Sequence, residues 1–64
     1  MTINGEEKTL AGNLLLSELL QQEGFKIERV AVELNGEIVP KAAYGSVFLS
    51  EADQLEVVSF VGGG

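Results

Sequence analysis

Gly62-Gly63-Gly64 close the sequence, and no other residues in it have so clear a chemical use. Glycine has no Cβ and gives up the most conformational freedom when ordered, so the run predicts a flexible, slim, unbranched arm. Its terminal carboxylate could thread a narrow channel into another protein's active site, where any side chain would clash. The other candidate, Glu6-Glu7, offers two neighbouring carboxylates of the kind used in acid–base chemistry. Adjacent residues on a strand point to opposite faces, however, so this pair reads as a wet hairpin. The 64 residues include no His and no Cys. That removes the usual general base near neutral pH, the usual metal imidazole, thiolate nucleophiles and cysteine-type zinc sites. The chain is not expected to be an enzyme, and any chemistry at its end must be done by a partner.

Such an arm needs a rigid base, and the residues before it supply one. Leu55 to Val61 read as a strong final strand, with Leu55, Val57, Ser59 and Val61 on one face and Glu56, Val58 and Phe60 on the other. Both faces carry apolar groups. So short a chain has little left to cover the second face unless Tyr44 or Phe48 does so, and Val58 and Phe60, or Val61, are therefore expected to leave an exposed apolar patch beside the arm, of the kind that usually marks a partner.

The remaining elements follow from punctuation and periodicity. Asn4-Gly5 supplies the positive φ angles of a tight turn between Met1 to Ile3 and Lys8 to Leu10. From Leu14 to Glu23, Leu15, Leu16, Leu19 and Leu20 recur at helical spacing and make a core-facing stripe. Asn13 is the expected cap, Ser17, Glu18, Gln21 and Gln22 the wet face, and Gly24 the left-handed closing residue. Lys26 to Arg29 form a polar connection. Val30 to Leu34 alternate as a strand, Asn35-Gly36 turns the chain, and Glu37 to Val39 return and stop at Pro40. Lys41 to Ser50 fit a helical turn, a loop or another edge strand equally well, and Glu51 to Gln54 read as a turn. This order predicts an α+β fold, with one mixed sheet of about four to five strands wrapped over one helix. Residues 1–61 would be the domain and 62–64 the tail.

Composition sets the outer limits. Ten acidic residues against four basic ones give a formal charge of −6, with 45% of residues hydrophobic. Phosphate backbones and anionic lipid would repel such a surface, which argues against nucleic acid and membrane as partners. Spread along the chain, the carboxylates could also steer it toward a basic rim on a protein partner. No apolar run is long enough to span a bilayer, and Met1-Thr2-Ile3-Asn4 lacks the basic start of a signal peptide. The expected location is the cytoplasm, whose reducing conditions suit a chain without cysteine.

Several blocks together resemble the ThiS sulfur carrier proteins of thiamin biosynthesis, of the ubiquitin-like β-grasp fold. They are the Asn4-Gly5 hairpin, Ser17-Glu18-Leu19-Leu20 before Gly24, the stretch from Arg29 to Lys41, and Asp53 to Gly64 with its glycine end. The sequence departs from the family's habit at Ala52, where Gly is frequent, and at the helix start, where Thr is frequent. The resemblance implies a carboxylate on Gly64 that a ThiF-like adenylyltransferase activates with ATP and Mg, this chain itself binding no cofactor and no metal. Sulfur from a persulfide donor, a cysteine desulfurase or relay protein, then yields a thiocarboxylate, which is presented to a ThiG-like thiazole synthase building the thiazole of thiamin. Gly62 and Gly63 would be the threading arm, and Val58, Phe60 and Val61 part of the docking surface. Alternatives are the MoaD-like small subunit of molybdopterin synthase, a protein modifier in the manner of ubiquitin, and a passive non-enzymatic binding module.

Overall fold

A computed structural model of the chain describes residues 1–10 and 12–60. Their strands form a five-stranded mixed sheet and a separate two-stranded ladder, and one helix packs on the sheet. In chain order the elements are β1 (Thr2–Ile3), β2 (Glu6–Glu7), β3 (Leu14–Leu15), α1 (Leu16–Gln22), β4 (Val30–Leu34), β5 (Glu37–Val39), β6 (Phe48–Leu49) and β7 (Gln54–Ser59). Short 3-10 turns occupy Ile27–Arg29 and Lys41–Ala43. The main sheet runs β2-β1-β7-β4-β5, with β1 parallel to β7 and the other pairs antiparallel. The ladder pairs β3 with β6.

Both Asn-Gly dipeptides make the expected turns. Asn4 and Gly5 have φ of 51° and 84°, Asn35 and Gly36 53° and 86°, the positive angles that match the twist of a two-residue hairpin. The first hairpin is tighter than Lys8 to Leu10 as return strand would have made it: Ile3 pairs with Glu6 and Thr2 with Glu7. Lys8 still faces Met1, donating its amide to the Met1 carbonyl at 2.9 Å.

The helix begins later than the leucine periodicity indicates, and Asn13 does not cap it. Leu14 and Leu15 are drawn into the ladder, opposite Leu49 and Phe48. The first free amides of the helix are satisfied by the facing segment: Leu16 N–H donates to the Val47 carbonyl at 2.8 Å and Ser17 N–H to that of Tyr44 at 2.9 Å. The Glu18 carboxylate accepts the Leu15 amide at 3.0 Å, half of a capping box. At the other end the Gly24 amide donates to Gln21 and the Phe25 amide to Leu20, around a Gly24 φ of 85°. This is the Schellman closure expected of Gly24.

Leu16, Leu19 and Leu20 of α1 pack against Ile3, Val30, Val32, Leu55 and Val57 of the sheet, with Met1, Tyr44 and Leu49 completing the core. Each fully buried aliphatic side chain contributes about 1.5–3 kcal/mol of transfer free energy, the main favourable term in so small a domain. The segment from Lys41 to Ser50 therefore resolves into a 3-10 turn, a core tyrosine and a short strand. Among the described residues no helix is long and apolar enough to cross a membrane.

Candidate functional site

β7 delivers the chain to its glycine end, and the sheet holds β7 on both sides. Its whole inner length is paired with β4, from Val30 opposite Ser59 to Leu34 opposite Leu55, while Gln54 and Leu55 pair with β1. The Phe60 amide donates to the Arg29 carbonyl at 2.7 Å, so the clamp persists to the last described residue. Where the β1 and β4 ladders end, one turn residue on each side takes over. Asn4 lies against Val57, accepting its amide at 2.8 Å and donating Nδ2 to its carbonyl at 3.2 Å. Asn35 accepts the Gln54 amide at 2.9 Å through its side chain and donates its own amide to the Gln54 carbonyl at 2.8 Å. The asparagines of two different hairpins thus bracket one strand.

Asp53 secures the turn that leads into β7. Its carboxylate accepts the Ser50 amide at 2.8 Å and Asn35 Nδ2 at 2.9 Å. Burial pushes this carboxyl upward, but the hydrogen bonds from Asn35 and Ser50 and the field of the amino terminus outweigh it, holding Asp53 below the usual carboxylate range. Tyr44 behaves oppositely. Burial raises its phenol, offset only in part by the Val32 amide, and its hydroxyl donates to the Val30 carbonyl at 3.3 Å.

Strand alternation gives β7 one buried and one open face. Leu55 and Val57 lie in the core, whereas Val58 is 61% and Phe60 59% exposed. β7 is central in hydrogen bonding and still uncovered on one side. Neither aromatic residue that could have covered it does so: Tyr44 is buried among the core leucines, and Phe48, on the separate ladder, is 65% exposed. Val58 and Phe60 therefore stand on the open face, where the strand alternation puts them. Val61, Gly62, Gly63 and Gly64 lie outside the described residues, as does the boundary between domain and tail.

The open face extends across the sheet in a way the sequence reading missed. Ile38 on β5 is 78% exposed and sits opposite Glu33. With Ala31, Glu33, Glu56 and Val58 it lines a shallow concavity of about 180 Å³. A single isoleucine in a three-residue strand carries no periodicity by which to assign its face; only the pairing of Val39 with buried Val32 turns Ile38 outward. Among the described residues no group of three or more metal-ligating side chains is assembled. The arrangement offers a partly apolar platform on the open face of the strand that leads to the glycine end.

Known proteins resemble this chain along its whole length. It is 44% identical over 64 residues to a thiazole synthase of Paramagnetospirillum magneticum, covering 100% of this chain and 20% of that protein. It is 47% identical over 62 residues to a thiazole synthase of Magnetococcus marinus, covering 97% and 19% respectively. The chain thus spans about a fifth of the length of these relatives. The crystal structure of the thiamine biosynthesis protein ThiS from Geobacter metallireducens superposes with a TM-score of 0.80 at 36% identity, over 98% of this chain and 96% of that one. The sequence profile of the ThiS family matches residues 1–64. Fold and sequence agree, and the chain belongs to the ThiS family, with its ubiquitin-like β-grasp architecture.

Proposed function

We propose that the chain is a sulfur carrier for thiazole formation in thiamin biosynthesis, and that it is not itself an enzyme. Membership of the ThiS family over the full chain carries this reading. The uncovered strand that leads to three glycines supports it. A carboxylate is a poor electrophile, since its charge is delocalised and oxide is a hopeless leaving group, so Gly64 must first be activated. A ThiF-like adenylyltransferase does this with ATP and Mg, releasing pyrophosphate and leaving an acyl adenylate. The terminal sulfur of a persulfide, held by a cysteine desulfurase or relay protein, displaces AMP. Cleavage of the sulfur–sulfur bond by a thiol then leaves a thiocarboxylate on Gly64. A ThiG-like thiazole synthase is the acceptor, a role supported by two thiazole synthases that each carry a segment like this chain.

Gly62 and Gly63 serve as the threading arm, and Val58, Phe60 and Val61 help to seat the domain so that the tethered sulfur reaches the acceptor at high effective concentration. These steps belong to the cytoplasm, where the carrier's partners work, and require neither nucleic acid nor membrane. Removing Gly63 and Gly64 should leave the fold and its melting temperature unchanged and abolish thiocarboxylate formation. A truncated chain that still accepts sulfur would overturn the proposal.

A further inference from the structure

Glu33 and Glu56 face each other directly across the β4–β7 ladder, at the middle of the open face. Residues so placed on one face bring their Cβ atoms to about 5 Å, and like charges there oppose sheet formation. Both are exposed, and neither takes part in the cation contacts among the described residues, which join the Met1 amino group to Glu51 and Lys8 to Glu23. Arg29, the cation nearest along β4, is four positions from Glu33, roughly 13 Å along an extended strand. The pair therefore stands uncompensated in a chain of net charge −6. Apolar surface adjoins it: Ala31 and Val58 pair two positions along the two strands, on the same face, and Ile38 lies opposite Glu33 on β5. The concavity they share, about 180 Å³, is smaller than ligand pockets, which run to about 300–1,000 Å³, and suits one long side chain.

We propose that Glu33 and Glu56 together receive an arginine of the protein that takes up the glycine tail. The guanidinium lies across both carboxylates and its aliphatic stem rests on Ile38 and Val58. A planar fork with five donors can engage two carboxylates at once, which an ammonium on a flexible stem does less well. The inference rests on the reading of the chain as a carrier that docks on thiazole synthase by this face.

The test compares the full chain with a Glu33→Gln/Glu56→Gln double variant, measuring the dissociation constant for a ThiG-type thiazole synthase at low and high salt, together with thermal melting. Relief of the repulsion should leave the variant melting no lower than the wild type. Loss of the socket should weaken binding by about tenfold or more and flatten its salt dependence. A variant that binds within about twofold of the wild type would overturn the arginine socket and leave the carrier reading standing. So would a variant that loses binding and also melts lower, since the pair would then be structural. Failure of the wild type itself to bind would overturn the choice of partner, and this inference with it.

Discussion

Asn4 and Asn35 each do two jobs, and only one of them is visible in the sequence. Each tolerates the positive φ of a hairpin turn, and each also uses its side chain to satisfy the backbone of β7. An Asn4→Gly variant separates the two, because glycine suits the turn angle at least as well but cannot hold Val57. If the side-chain bonds matter, the variant should lose about 1–2 kcal/mol in urea unfolding; a neutral result would reduce Asn4 to a turn residue. Asp53 supplies the pH dependence. Its folded pKa lies below its unfolded value, so the carboxylate's contribution is fully present above about pH 4 and is lost as pH falls through the folded pKa. Asp53→Ala should therefore cost about 1 kcal/mol at neutral pH, and the gap between variant and wild type should close under acid. Melting curves at neutral and acid pH check both statements.

Among the elements, the helix shows what periodicity can and cannot report. The spacing of Leu16, Leu19 and Leu20 located α1 and its buried face, and Gly24 located its end, because both signals are local. Its start was not legible. Leu14 and Leu15 fit a helix as well as a strand, and what decides between them is a ladder with Phe48 and Leu49, more than thirty residues away. The same distance hid the structure of Lys41 to Ser50, where Tyr44 is fixed by the Val30 carbonyl and by core leucines rather than by its neighbours. The open face of β7 was legible from the alternation of Val57 and Val58, whereas Ile38 and the opposition of Glu33 to Glu56 depend on strand register. At Gly24 nothing lies within 4 Å of an added Cβ, so Gly24→Ala would strain only the backbone at φ 85°. It should cost about 1 kcal/mol, read from the shift of the urea midpoint, with the m-value unchanged.

For the molecule as a whole, the described residues gather their core on one face of the main sheet, and the other face of the central strands stays open. The strand that carries the chain toward its glycines is also the one most thoroughly held, by β1, β4 and two asparagines. The proposed carrier role calls for a firm base and an open surface of this kind beside the glycine end. The most direct test is the intact mass of the protein after incubation with ATP, Mg, a ThiF-type adenylyltransferase and a persulfide source, followed by alkylation of the new sulfur. Thiocarboxylate formation predicts a gain of about 16 Da that becomes alkylatable and maps to Gly64, which separates it from oxidation of Met1. A terminus that stays unmodified and unalkylated, under conditions that charge another ThiS carrier, would contradict the assignment.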